Sequence, residues 1–415
     1  MISKFIKNCK IVENGKIVEK NILLEGDKIA LVTEERITAE EIIDAKGNLV
    51  LPGVIDCHVH FREPGLTHKE DFVSGSYAAA KGGITTILDM PNTVPPTVTL
   101  EALEEKRQLA KKSIVNYGFH FGATADNIEA IKKVENIASV KVFMNETTGS
   151  LKVDENLDAI FREAKTVSVH AEDEKVQLAI DLFKKQFDKS KILYFCHVSA
   201  AEALKIIKRN KTAHMYIEVT PHHLFLAADD LVKLKGYGMM KPSLKTKEDQ
   251  DALWDAISKG LVDTIATDHA PHTKEEKEQE NPLSGVPGVE TMLPLLLDAV
   301  NKNRITPQQL TDLISKNPAK IFKIKNKGMI AEGYDADLTI VDMNMQKEVQ
   351  TDELLSKCKW SPFEGKVLKG WPVTTIVNGN IVYDHGSIFD IKGKEVKYFK
   401  RIAEKEDEQD VLKNP

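Results

Sequence analysis

The stretch Val54-Ile55-Asp56-Cys57-His58-Val59-His60-Phe61-Arg62-Glu63-Pro64 decides how this chain is read. The largely apolar run from Asn48 to Ile55, interrupted by Pro52 and Gly53, reads as a strand whose end carries two histidines. Side chains two apart in a strand share a face, so His58 and His60 point together, with Asp56 and Arg62 on the same parity. Two imidazoles so placed either hold a divalent metal or are surface histidines of an ordinary strand, and the rest of the chain decides between these readings.

Downstream of this stretch, short β-branched runs alternate with longer helical segments, the pattern of a parallel sheet with crossover helices. Eight runs qualify as strands, over 50–58, 84–90, 115–122, 139–144, 166–170, 192–197, 215–220 and 262–268. Eight such units predict an α/β fold, a (β/α)8 TIM barrel. Residues 2–50 give short alternating strands, and the same texture returns at Gly328–Asp342 and Val373–Tyr383, the latter turning on Asn378-Gly379. We therefore expect a small β-sandwich domain built from both chain termini (1–50 with 325–390), a barrel over 51–324, and a charged C-terminal tail over 391–415. Residues 271–289 carry the charge run Lys274-Glu-Glu-Lys-Glu-Gln-Glu280 and read as a mobile lid or a solvated loop.

The 415 residues suffice for a barrel plus a smaller module. A net charge of -6 with the signs interspersed argues against nucleic acid or an anionic membrane as partner. The chain shows neither a secretory leader nor an apolar run of membrane-spanning length, and its four cysteines lack any CxxC spacing. Buried free thiols in a reducing cytoplasm are the expectation.

Barrel enzymes carry their chemistry where the strands end, and the strand ends here are rich in reactive side chains. The first ends in His58 and His60, the second in Asn92, the fifth in His170, the sixth in His197, the seventh in His222 and His223, and the eighth in Asp268, while the fourth carries Lys141. Four histidines and a carboxylate at one mouth match the donor set of zinc, and their number suits two ions. His197 is preferred to its rival His222 because it neighbours His170 in strand order. Lys141 reads either as a salt-bridging lysine or, after reaction of its neutral amine with carbon dioxide, as an anionic carbamate between two metals. Asp268 reads as an acid–base group, a metal ligand or a helix cap. Arg62 offers a planar fork for a substrate carboxylate and Asn92 an amide. Cys57 and Cys196, of opposite parity to the histidines, are expected to face the surrounding helices.

The motifs PGVIDCHVHFREPG (Pro52–Gly65), GGITTILDMPNTVPPT (Gly82–Thr97), VKVFM (Val140–Met144), VHAED (Val169–Asp173), CHVSAAEAL (Cys196–Leu204), TPHHL (Thr220–Leu224), ATDHAPH (Ala266–His272) and GVPGVET (Gly285–Thr291) stand in this order, with GYDADLTIVD (Gly333–Asp342) beyond them. Together they resemble the dihydroorotases of the amidohydrolase superfamily over nearly the whole chain. The resemblance implies reversible cyclisation of N-carbamoyl-L-aspartate to L-dihydroorotate in pyrimidine synthesis, with two zinc ions bridged by carbamylated Lys141 and a hydroxide. It assigns His58, His60 and Asp268 to one ion, His170 and His197 to the other, and the proton shuttle to Asp268. It also implies that Arg62, Asn92 and His272 hold the substrate carboxylate and that backbone groups at Pro287 and Gly288 meet the ring, with His60 beside the substrate. Its expected partners are a small-molecule substrate, a second copy of the chain and aspartate transcarbamoylase. One departure stands out: Met240-Lys-Pro-Ser-Leu-Lys245 puts Lys241 where many members have a ring-contacting asparagine. The rival readings are a dihydropyrimidinase or allantoinase, whose substrates lack a ring carboxylate for Arg62, and a non-catalytic scaffold, whose relatives lose metal ligands.

Overall fold

A computed structural model of the chain describes residues 2–149 and 151–399. Five strands come first: β1 (Ser3–Glu13), β2 (Lys16–Glu25), β3 (Lys28–Thr33), β4 (Glu41–Asp44) and β5 (Leu49–Pro52). Eight more alternate with helices: β6 (Val54–Val59), β7 (Ile84–Asp89), β8 (Asn116–Gly122), β9 (Ser139–Phe143), β10 (Thr166–His170), β11 (Ile192–Phe195), β12 (Met215–Val219) and β13 (Thr264–Ile265). The last four are β14 (Leu338–Glu348), β15 (Val367–Val377), β16 (Asn380–Asp384) and β17 (Ser387–Ile388).

Strands β6 to β13 pair in chain order, and every pairing is parallel. A parallel bridge between Val59 and His269 links the two edges and nearly closes the barrel. All eight expected strands are present. The crossovers are amphipathic: the helix Glu174–Lys185 buries Val176, Ala179, Ile180 and Phe183 as one stripe. The helix Phe72–Lys81 starts where the Asp71 carboxylate accepts from the backbone of Val73 and Ser74. Outward residues of the barrel, among them Ile87, Phe119, Val142, Val169 and Phe195, pack under these helices. Inward residues, among them Ile55, Leu88 and Tyr194, meet Phe322 in a second cluster inside the barrel.

The other strands form one mostly antiparallel sheet with the path β17-β16-β15-β14-β5-β1-β2-β3, and β4 beside β1. Both chain ends contribute, as expected. Strand β5 is the joint, parallel to β1 and antiparallel to β14. Ile22, Leu24 and Ile29 from one end of the path share an apolar cluster with Leu338, Ile340, Val373 and Ile376 from the other. The expected first run, 50–58, therefore divides into β5 and β6 at Gly53. A Cβ there would lie 2.3 Å from Thr85 Oγ1 and 2.7 Å from Asp337 Cβ, so only glycine lets the chain pass from one sheet to the other.

Residues 391–399, expected as part of a charged tail, lie against the barrel. The Val396 N–H donates to Tyr117 O at 2.8 Å, and Val396 joins the inner cluster with Tyr398 packed against it. The rest of that tail, 400–415, lies outside the described residues.

Candidate metal centre and substrate cleft

The strand ends bring ring nitrogens and one carboxylate together. His58 Nε2 lies 3.3 Å and His60 Nε2 2.9 Å from the same oxygen, Asp268 Oδ1. The far nitrogens fix the tautomers. His58 Nδ1 faces Glu218 Oε1 at 2.7 Å and His60 Nδ1 faces Asn92 Oδ1 at 2.6 Å, so each is the N–H donor and each Nε2 lone pair is left toward Asp268. His170 Nε2 faces Glu172 Oε1 at 3.2 Å, which leaves its Nδ1 toward His197 Nε2 at 2.9 Å. His197 Nδ1 is buried without a hydrogen-bond partner among the described residues. Lys141 has no exposed surface, and its Nζ donates to Cys196 Sγ at 3.0 Å.

Burial opposes charge throughout this cluster, and the outcome differs by neighbour. For Asp268 burial is outweighed by His58 and His60, which hold its carboxyl well below the usual range. Burial dominates for His60, pushed down to about 4, and for His170 and His197, which the Lys141 ammonium lowers further. His58 is the exception: burial and the Lys141 ammonium lower it, but the carboxylates of Glu218 and Asp268 outweigh them and raise it to about 10. Imidazole nitrogens gathered round an ionised carboxylate in a dry pocket are a donor set that a divalent cation satisfies by displacing the His58 proton.

Two positions break strand parity. The pairing of β6 with β7 shifts between Asp56 and Val59, a bulge that adds a residue and turns Cys57 and His58 to the same side. Cys57 therefore faces inward, with Sγ 3.1 Å from the Tyr194 hydroxyl, while the Asp56 carboxylate turns aside to accept from Thr267 N and Oγ1. On the sixth strand end, His197 has a left-handed backbone (φ 36°), so Cys196 and His197 both point inward. The expectation that these cysteines face the helices is thus corrected, and Asp56 does not share the histidines' face. Arg62 and Asp268 are left-handed too (φ 64° and 46°), so backbone strain gathers at the mouth.

The cleft over this cluster is lined by His58, His60, Arg62, Asn92, His170, His197 and Asp268, together with Lys241, Ser284 and Gly285. Arg62 is only 3% exposed, and no carboxylate lies within ion-pair distance of it among the described residues. Its Nε donates to Pro271 O at 3.1 Å and its Nη2 lies 3.2 Å from His272 Nε2. His272 sits behind Arg62 rather than on the cleft. Its Nδ1 accepts from Lys69 Nζ at 3.2 Å and its Nε2 donates to Ser284 O at 3.0 Å. Burial first, then the cations of Arg62, Lys69 and Lys277, push His272 down to about 2. Pro287 and Gly288 do not reach the cleft either: they border a separate small cavity with His269, Glu290 and Trp360. The backbone at the cleft belongs instead to Ser284 and Gly285. His222 stands apart from the converged donors, its Nε2 buried without a hydrogen-bond partner among the described residues.

Sequence reasoning did not find Glu218 or the segment 145–149. Glu218 showed only as a charge inside the apolar run of β12. Thr147 and Thr148 line the cleft, held by Asn92 Nδ2 donating to Thr148 O and Thr148 Oγ1 to Ser284 O, both at 3.2 Å. The charge run 274–280 starts a short helix, Lys274–Glu278, and Lys277 is buried with Nζ donating to Met239 O, Leu283 O and Gly285 O at 2.7–2.9 Å.

With this geometry in place, comparison with known proteins is direct. The model of the Amidohydrolase family matches residues 49–382. A dihydroorotase of Methanosarcina acetivorans is 38% identical, with 92% of each chain covered. One of Pyrococcus furiosus is 38% identical over 88% of this chain and 89% of its own. Among solved structures, the L-hydantoinase (dihydropyrimidinase) of Arthrobacter aurescens superimposes with a TM-score of 0.91 at 30% identity, covering 96% of this chain and all of that one. No described helix is long and apolar enough to cross a membrane. His58, His60 and Asp268 form a group that could hold a metal ion, as suits a metal-dependent enzyme acting on a small molecule, and the chain belongs to the amidohydrolase family.

Proposed function

We propose that this enzyme opens and closes the cyclic amide of L-dihydroorotate, interconverting it with N-carbamoyl-L-aspartate for pyrimidine synthesis. Arg62 carries the reading. A guanidinium buried at the cleft without a protein carboxylate is costly unless an anion arrives with the ligand. Dihydroorotate has a ring carboxylate to offer, and hydantoin has none. The sequence relatives point the same way, being named dihydroorotases at 34–39% identity, whereas the solved neighbours are hydantoinases at 26–30%.

In this reading His58, His60 and Asp268 hold one zinc ion and His170 and His197 a second. Lys141 would serve as a further ligand once carbamylated, its neutral amine attacking carbon dioxide and losing a proton. The lack of any carboxylate partner for this buried amine among the described residues supports that assignment. Bound zinc supplies Lewis acidity toward a carbonyl and lowers the pKa of water. Asp268, ionised and beside both histidines, would accept a proton from the water that adds to the ring carbonyl and return it to the departing ring nitrogen. Arg62 grips the carboxylate and the Asn92 amide adds a hydrogen bond. The Pro271 carbonyl holds Arg62 from behind, and the ring meets Ser284 and Gly285. Residues 51–324 are the catalytic unit, supported by 1–50 with 325–390. Four buried free thiols suit a cytoplasmic location. Self-association and a complex with aspartate transcarbamoylase complete the reading, and size-exclusion chromatography with and without that enzyme checks both.

The test is turnover of L-dihydroorotate and hydantoin, side by side, by zinc-reconstituted wild type and Arg62→Ala. The wild type should prefer dihydroorotate. The variant should lose about 100-fold or more in kcat/KM for it, equivalent to about 3 kcal/mol of charge-assisted contact. Hydantoin turnover that ignores Arg62 would move the assignment to the dihydropyrimidinases.

A further inference from the structure

One fully buried carboxylate has no part in the chemistry described above. Glu218 projects from β12 into the barrel and has no exposed surface. Its Oε1 accepts from two donors, His58 Nδ1 at 2.7 Å and the backbone N–H of His197 at 2.8 Å. Its Oε2 accepts from the Tyr194 hydroxyl at 2.8 Å, and that hydroxyl lies 2.6 Å from Thr264 Oγ1. A single oxygen therefore touches the ring of a donor assigned to one ion and the main chain of a donor assigned to the other.

Both contacts do work that the local sequence leaves undone. An imidazole chooses its tautomer by what its second nitrogen meets, and a carboxylate at Nδ1 makes that nitrogen the N–H and keeps Nε2 as the bare lone pair. His197 is held in a left-handed backbone that a residue with a Cβ rarely adopts, so something outside its own strand must fix it. The N–H bond to Glu218 does so, reaching across from the neighbouring strand. Tyr194, itself fully buried, anchors the far side of the carboxylate.

We propose that Glu218 is a positioning residue that sets the tautomer of His58 and the placement of His197, so that both halves of the metal centre are built on one shared carboxylate. The proposal rests on the metal reading given above. It predicts that Glu218→Gln, which keeps an acceptor but removes the charge, weakens the zinc held by His58 about 10- to 100-fold. Glu218→Ala, which also frees the His197 backbone, should weaken both ions. Tyr194→Phe should change affinity less than either, since it leaves Oε1 untouched.

Two measurements decide it: zinc affinity by competition with a chromophoric chelator, and the tautomer of metal-free, 15N-histidine-labelled protein by long-range 1H–15N NMR. In wild type His58 should carry a proton on Nδ1, and in Glu218→Ala that proton should be lost, leaving the Nε2–H form. The Gln variant serves if the Ala variant does not fold. Unchanged zinc affinity in the variants, or an unchanged His58 tautomer in Glu218→Ala, overturns the proposal. Wild type that takes up no zinc overturns the metal reading and this proposal with it, a failure visible without any variant.

Discussion

The two sheets of this chain use their buried positions for different ends. In the terminal sheet, Ile6, Ile22, Leu24, Leu338, Ile340 and Ile376 close on one another as an apolar cluster. In the barrel the same alternation sends Ile87, Phe119, Val142 and Phe195 outward under the helices, while the inward positions near the mouth hold His58, Lys141, His170, His197 and Glu218. Cohesion of the barrel thus comes from its outer face and its floor, which leaves the mouth free for groups that are costly to bury. The small sheet divides differently: Val50, Ile340 and Ile376 face its own cluster, while Leu49, Leu51, Val341 and Val377 join the barrel's outer one.

The sharpest way to break this contrast is to remove charge at the mouth. Asp268→Asn should lower kcat for dihydroorotate by about 10²- to 10⁴-fold, with the melting temperature unchanged or raised. A parallel fall in melting temperature would show that the mouth also holds the fold together.

The reverse experiment is Ile340→Ala, at a residue 2% exposed and paired with Val50 across β14 and β5. It should cost about 2–5 kcal/mol in urea unfolding, with zinc content and kcat per folded molecule preserved. Loss of kcat in the folded variant would mean that the small sheet shapes the site.

A finer test concerns His272, the neutral imidazole behind Arg62. Unfolded, it takes a proton near pH 6.5, but in the fold only near 2, so the unfolded state binds more protons in between. Stability from this group is complete above pH 6.5 and is lost as pH falls through that window. The stability advantage of wild type over His272→Asn should therefore shrink by up to about 1.4 kcal/mol per pH unit below 6.5. A difference that stays flat from pH 7 to 5 would show that His272 is protonated in the fold.

Where period-two alternation held, the sequence was a sufficient guide. The eight parallel strands and the placement of Lys141 and His170 on the inner side of β9 and β10 follow from it. It failed where the backbone departs from a regular strand without a residue type to announce it. The bulge at Cys57–His58 and the left-handed His197 involve no glycine, so Cys57 and Cys196 were assigned to the wrong face. Pro287 and Gly288 were expected at the cleft by motif, and in the structure they border the neighbouring cavity beside His269. Glu218 was unreadable because its partners come from β6 and from β11 with its end, far away in sequence.

The seat of β5 between β1 and β14 has a consequence for how the chain is made. Strand β14 pairs residue for residue with β5, Leu338 opposite Pro52 and Val341 opposite Leu49. A ribosome adding roughly 5–20 residues per second needs roughly 15–60 s to travel from one to the other. For that interval Ile6, Ile22, Leu24 and Ile29 lack half of their cover and β5 presents a bare edge, while the barrel units emerge behind them. The first fifty residues therefore complete their cover only when β14 arrives.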